Sequence, residues 1–304
     1  ENPGKLYLQG ASGTFTPSVT FNFKEDFACT DGDALFFDAD MDGDMDLYVA
    51  SGGYHDYLRN DKALQDRLYL NNGAGRFTKQ ADALPQMLNS KSCIRVADID
   101  KDGDQELFVG GRVMPGEYPL AQPSYILDSD RPGHYKNITQ TVLPALADAG
   151  MVTDAAWIDL NKDTWPDLII AGEFMPIRVF INENGKNFRE ATKSWFDVSE
   201  GGLWNKIALA DFDGDGNIDI IAGNFGTNSQ LKSSVTEPVE LTYKDFDNNG
   251  TIDPILTYYV EGKSYPFAGR DEMVNQIGVL RKKFPDYASY STAAIGDIFT
   301  PGDL

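Results

Sequence analysis

Cysteine and histidine are nearly absent from this chain of 304 residues, which has two of each. So few sulfur and imidazole ligands exclude a zinc-built core and a disulfide-framed small domain. Positive charge is also scarce: 26 Lys and Arg stand against 47 Asp and Glu, a formal charge of −21. So acidic a surface repels phosphate backbones and anionic headgroups, which excludes unaided nucleic-acid binding and docking on an anionic membrane. No apolar run approaches the roughly 18 residues that cross a bilayer. No signal peptide is visible and the first residue is Glu1 rather than Met, which reads as a processed or trimmed start to a piece of a longer protein.

Apolar material is plentiful. Hydrophobic residues make up 41% and aromatics 12% of the chain, enough for a large core and too much for a disordered acidic tail. Cys29 and Cys93 each lie shortly before an acidic segment. Buried reduced thiols and a single disulfide both remain open.

Those acidic segments dominate the sequence. Five nine-residue stretches share one pattern: DADMDGDMD (38–46), DIDKDGDQE (98–106), DLNKDTWPD (159–167), DFDGDGNID (211–219) and DFDNNGTID (245–253). Their starts are 60, 61, 52 and 34 residues apart, and positions 1, 3, 5 and 9 take 18 of the 47 acidic side chains. A merely solvated surface would not space its charges so regularly. Calcium coordination would, because Ca²⁺ takes six to eight oxygens in a flexible shell. Side chains at positions 1, 3 and 5 converge if the backbone curls, Gly at position 6 permits the sharp turn, position 7 offers its carbonyl, and position 9 closes the cage.

The expected ligand sets are Asp38, Asp40, Asp42, Asp44 and Asp46; Asp98, Asp100, Asp102, Asp104 and Glu106; Asp159, Asn161, Asp163, Trp165 and Asp167; Asp211, Asp213, Asp215, Asn217 and Asp219; and Asp245, Asp247, Asn249, Thr251 and Asp253. Up to five Ca²⁺ follow. At position 7 only the carbonyl is expected to point inward, leaving the Asp44 and Asp104 side chains solvated. Loop 159–167 departs most, with Asn161 and with Thr164 where Gly is expected; loop 245–253 carries a neutral Asn249. Mg²⁺ is disfavoured by its stricter octahedron.

An EF-hand would need Glu at position 12 and flanking helices. Position 12 is instead Val49, Val109, Ile170, Ala222 and Leu256, and the flanks (ALFF, LYVASGG; IRVA, LFVGGR) read as strands. A plain strand–turn–strand element recurs between the loops, at 5–16, 67–78, 124–139 and 178–192. One unit is therefore an acidic hairpin plus a plain hairpin. Four-stranded units at this period point to an all-β β-propeller of about five blades here, part of a ring of about seven or eight. A sandwich or β-helix is the alternative. The fourth unit has little room for its plain hairpin.

We read 1–304 as a single propeller domain or fragment. Met273, Ile277, Leu280 and Phe284 fall at helical spacing, which predicts a helix over 271–285, packed on the propeller edge or docking a partner. His55 and His134 are far apart in sequence and suggest no catalytic pair. Arg112, Tyr118, Trp157 and Trp204 are candidates either for a ligand face or, for the tryptophans, for the core.

The acidic pattern, the L-x-V/I-x-G-G that follows it and the N-x-G-x-F turn together resemble FG-GAP/VCBS repeats, the repeats of the integrin α-subunit head, over residues 5 to about 265. DRLYLNNGAGRF (66–77), LFVGGRVMPGEYP (107–119), ADFDGDGNIDIIAGNFGTNS (210–229) and YKDFDNNGTIDPIL (243–256) are similar to the cartilage-acidic-protein-like (ASPIC/UnbV-associated) proteins of Bacteroidota. The resemblance implies a calcium-bound propeller at the cell surface and no known catalytic residue. The resulting expectation is a non-enzymatic calcium-binding module, exported to the extracellular or outer-membrane surface, that binds a protein or glycan ligand. The alternatives are a polysaccharide-active enzyme and an accessory lipoprotein of an outer-membrane nutrient-uptake complex.

Overall fold

The computed structural model describes residues 4–54, 57–196, 201–226, 228–300 and 302; His55 lies outside them. The chain is all-β, with antiparallel sheets and short helices only. No described helix is long and apolar enough to cross a membrane. The single domain expected over 1–304 divides into two compact units, one of residues 1–116 and 120–224 and one of 117–119 and 225–304.

The first unit is propeller-like. Its first sheet orders Thr30–Phe37, Asp46–Gly52, Arg67–Leu70 and Thr78–Lys79. The second orders Lys91–Ala97, Glu106–Gly111, Tyr125–Arg131 and His134–Asn137. The third joins Met151–Ile158, Asp167–Met175, Arg178–Asn182 and Phe188–Glu190. The fourth contributes only Gly202–Ala210 and Asp219–Asn224, and is joined to the third where Glu173 and Met175 pair with Leu203 and Gly202. Every acidic segment links the first two strands of its sheet, and the plain hairpins of the first three sheets supply the outer two; the hairpin over 5–16 forms a two-stranded sheet of its own, Tyr7–Gln9 with Phe15–Pro17. The short chain after 219 leaves the fourth sheet without that outer pair.

The second strands read as unbroken apolar runs because each face feeds a different core. Leu107 and Val109 enter the cluster shared with the first sheet, and Phe108 between them enters the cluster shared with the third. Leu168 and Ile170 face one way, Ile169 and Ala171 the other. Leu47 and Val49 pack under Phe21 and Phe23 while Tyr48 and Ala50 face the second sheet. Each fully buried Leu, Ile or Phe contributes about 1.5–3 kcal/mol, so the stack of sheets holds the unit together. Cys93 is buried in this stack, and both cysteines are free thiols, which closes the disulfide alternative.

The first strands of successive sheets lie against one another. Each carries a β-bulge at the same register, with Gly32, Ser92, Thr153 and Asn205 as the extra residues. These four residues line one polar cavity of about 400 Å³ together with Tyr54, Lys91, Arg112 and Lys206. Ion pairs tie the seams: Arg95 bridges Asp33 of the first sheet and Asp154 of the third, and Asp154 also accepts from the Ile207 N–H.

The second unit has one three-stranded sheet, Glu240–Lys244, Asp253–Val260 and Lys263–Pro266. The helix expected over 271–285 is two, Arg270–Gln276 and Leu280–Lys283. The chain leaves helical geometry at Ile277 (φ −118, ψ 90), and the Gly278 N–H turns to Asp247 instead of continuing the helical ladder. Met273, Ile277, Leu280 and Phe284 are nonetheless all buried in this unit's core with Ile255 and Ile298.

Candidate metal-binding loops

The five acidic segments adopt one backbone shape. Position 6 has positive φ in all of them: 92° at Gly43, 100° at Gly103, 75° at Thr164, 84° at Gly216 and 86° at Gly250. Position 4 does as well, at Met41, Lys101, Lys162, Gly214 and Asn248. The first carboxylate collects backbone N–H groups across the curl. Asp38 accepts from Asp42 and Gly43, Asp159 from Asp163 and Thr164, Asp211 from Gly214 and Gly216, and Asp245 from Asn249 and Gly250.

Position 9 closes each loop through the N–H of position 2, at 2.7–3.0 Å from Asp46, Glu106, Asp167, Asp219 and Asp253. In two loops its second oxygen is also taken, Asp46 by the Asn71 N–H and Asp167 by the Asn182 N–H. Asn71 and Asn182 are loop-bracing positions that the acidic pattern alone misses. The signal for them is the Asn that follows the apolar run in the plain hairpins (LYLNN, VFINEN), a recurrence outside the nine-residue window.

Oxygens converge within cation-binding range in four loops. Ligand atoms of Asp38, Asp40 and Asp42, of Asp98, Asp100 and Glu106, of Asp211, Asp213 and Asp219, and of Asp245, Asp247 and Asp253 lie within 4.8 Å of one another in each set. Loop 159–167 forms no such set among the described residues. There the Asn161 amide donates to Asp163 at 2.8 Å, turning an NH₂ toward the place where an ion needs oxygen. The cage of 245–253 assembles despite Asn249.

Several of these oxygens are buried without a partner: Asp40 Oδ1, Asp98 Oδ1, Glu106 Oε1 and Asp247 Oδ1. A buried carboxylate oxygen with no donor is costly, and here the neighbours are more carboxylates. Burial, and then Asp42, push the Asp40 carboxyl above its usual range. Burial above all, with Asp104 and Asp100 beside it, pushes Glu106 up to about 9. A divalent cation removes both penalties, so the residues present fit one. When bound it would supply fixed positive charge; the chain's own contribution is the curl that presents the oxygens.

The Asp44 and Asp104 side chains are not solvated as the spacing implied. Asp44 Oδ1 and Asp104 Oδ1 are both buried and unpartnered. Asp44 turns toward the Gly73 turn of its own sheet, and Asp104 toward Glu106. Neighbouring loops also touch. Lys101 bonds the Thr164 hydroxyl and lies 4.2 Å over the Trp165 ring, while Lys162 donates to Asn217 at 2.6 Å. Of the other candidates, Arg112 lines the polar cavity and pairs with Glu173, whereas Trp157 packs between Phe108 and Phe188 and Trp204 packs against the buried cluster that holds Ile169, Ala171 and Val179. Tyr118 is half-buried in the second unit, and His134 meets Arg131 and the Asp82 carbonyl.

With this geometry in hand, the chain matches the FG-GAP-like repeat over residues 52–109 and 159–222. Those stretches take in the second, third and fourth acidic loops and most of their flanking strands, though not Met151–Ile158. No curated protein matches. Among solved structures, a lectin of Agrocybe aegerita, described by its specific recognition of non-reducing terminal N-acetylglucosamine, is similar at 15% identity and a TM-score of 0.47 over 84% of this chain and 71% of its own. Likeness at that level carries no argument about the ligand here.

Proposed function

We propose that this chain is a calcium-dependent, non-enzymatic binding module built on FG-GAP-like repeats, displayed on an extracellular or outer-membrane surface. The observation that carries the calcium assignment is the set of unpartnered buried oxygens of Asp40, Asp98, Glu106 and Asp247 inside oxygen-only cages. Oxygen-only ligands of this number suit Ca²⁺ rather than zinc or copper. Extracellular modules bind Ca²⁺ at about 10⁻⁴–10⁻³ M, which an exported protein meets at ambient calcium.

Binding to the folded state alone adds about 1–3 kcal/mol for each site filled at 10 to 100 times its Kd. Melting with millimolar calcium against EDTA tests the assignment. A rise in midpoint of several degrees is expected, and identical midpoints would overturn it. The ligand class we assign is a protein or glycan at the cell surface. An alternative setting, an accessory role in an outer-membrane uptake complex, rests on the resemblance to the cartilage-acidic-protein-like proteins alone. Pull-down from outer-membrane extract in calcium, reversed by EDTA, checks that setting. A polysaccharide screen with reducing-sugar detection checks the non-enzymatic reading, since turnover would refute it.

A further inference from the structure

Loop 98–106 differs from the other four in what surrounds its closing residue. Position 9 is Glu106, one methylene longer than the Asp found elsewhere, and it is only 1% exposed. Its Oε2 accepts from the Ile99 N–H at 2.7 Å, and its Oε1 has no partner. Two carboxylate triads meet at this one side chain, Asp98–Asp100–Glu106 and Asp102–Asp104–Glu106, each with ligand atoms within 4.8 Å. The other loops with a triad show one each.

Calcium holds its oxygens at about 2.4 Å, so one ion spans ligand atoms up to about 4.8 Å apart. The five carboxylates of this loop fall into two groups of that size rather than one. Asp98 Oδ1 on one side and Asp104 Oδ1 on the other are both buried and unpartnered. No Lys or Arg pairs with any of the five among the described residues; Lys136, close by, is paired with Asp128 at 2.8 Å. Two carboxylates in contact, one fully buried, need either a shared proton or a cation between them.

We propose that this loop holds two divalent cations bridged by the Glu106 carboxylate. One sits with Asp98 and Asp100, the second with Asp102 and Asp104. A single divalent ion would leave the five carboxylates at a net −3, and two bring them to −1. Asp104 stands between Glu106 and the Ser129 hydroxyl of its own plain hairpin, and beside Glu106 its side chain becomes a ligand of the second ion. In loop 38–46 the equivalent Asp44 turns to the Gly73 turn and joins no triad.

This inference rests on the calcium reading above, and the test separates the two. Bound calcium per chain is counted by equilibrium dialysis of the whole protein with ⁴⁵Ca²⁺, for the native chain, Asp104→Asn, Glu106→Gln and Asp44→Asn. The expected result is a loss of one ion for Asp104→Asn, of two for Glu106→Gln and of none for Asp44→Asn. An Asp104→Asn chain that keeps the full count overturns the second site, and is the result a shared proton would give, while leaving the calcium reading intact. A native chain that binds no calcium overturns both. Should a variant fail to fold, electron paramagnetic resonance of the native chain loaded with Mn²⁺ decides the point: a spin-coupled pair is expected, and isolated six-line spectra alone would refute it.

Discussion

Ser92 reaches across the seam between the second and third sheets to donate its hydroxyl to the Val152 carbonyl at 2.6 Å. Thr153 repeats the contact one sheet on, donating to Trp204 at 2.7 Å. The equivalent residue of the first sheet is Gly32, where a Cβ would stand 2.6 Å from the Lys91 carbonyl oxygen. The bulge residue of each of the first three inner strands therefore meets the carbonyl just before the next bulge. Ser and Thr satisfy that carbonyl, and the closest seam admits only glycine. Gly32→Ala is expected to cost about 1–3 kcal/mol through overpacking, and Thr153→Val about 1 kcal/mol or more through a carbonyl left unpaired. Denaturant midpoints of the calcium-loaded variants check this; unchanged midpoints in both would mean the seams do not hold the unit.

The acidic loops and their flanking strands were legible because their information is local: oxygens at fixed spacing, a turn residue, then an apolar run. The seams were not, since Ser92 and Thr153 become partners of distant carbonyls only once the sheets stack. The segment 271–285 shows the same limit from another side. The spacing of Met273, Ile277, Leu280 and Phe284 correctly marks one buried face, yet the backbone leaves the helix at Ile277 and the next N–H, that of Gly278, goes to Asp247. Periodicity reports which side chains face the core, not whether the helix between them is continuous. Likewise position 7 looked identical in loops 38–46 and 98–106, and what separates the two is that Asp44 meets the Gly73 turn whereas Asp104 meets Glu106 and Ser129.

Lys91 and Asp66 form an ion pair at 2.9 Å with both side chains fully buried. The Lys91 ammonium also donates to the Leu64 and Met87 carbonyls, and Asp66 accepts from the Ser51 N–H and the Tyr48 hydroxyl. The pair is thus saturated with partners, and removing one member strands the other. Lys91→Met is expected to cost about 3–5 kcal/mol. Adding Asp66→Asn removes the stranded charge, keeps one acceptor for the Ser51 N–H and turns an NH₂ donor to the Tyr48 hydroxyl oxygen, so the double variant should regain part of that loss. A double variant no more stable than Lys91→Met alone would show that the cost lies in packing rather than charge.

Asp26 gives the pH dependence. Burial alone would raise its carboxyl, but hydrogen bonds from Lys79 and from the Tyr69 hydroxyl outweigh burial and hold it below the usual 3.8. A carboxyl depressed in the folded state contributes stability that is fully present above the unfolded value and is lost as pH falls through the folded one. At neutral pH, Asp26→Asn should lose about 1.5–3 kcal/mol, the range for hydrogen bonds to a charged group. The gap between native and variant should narrow as pH drops below 3.8. Urea denaturation of both chains from pH 7 to 3 measures it, and a gap that widens in acid would refute the assignment.

Loop 159–167 offers a gain-of-site test. It keeps the curl of its neighbours although Thr164 sits at φ 75, where a β-branched residue is strained. What it lacks is oxygen: the Asn161 amide points its NH₂ at Asp163. Asn161→Asp replaces that donor with a carboxylate, and Thr164→Gly restores the turn residue found in the other four loops. Thr164→Gly also gives up the Lys101 hydrogen bond and adds unfolded-state entropy, so calcium-free stability should change by only about 1 kcal/mol. The double variant is expected to bind one more Ca²⁺ per chain than the native protein and to gain correspondingly in melting temperature when calcium is added. If the count stays the same, the arrangement of oxygens in these loops is not what decides whether an ion is held.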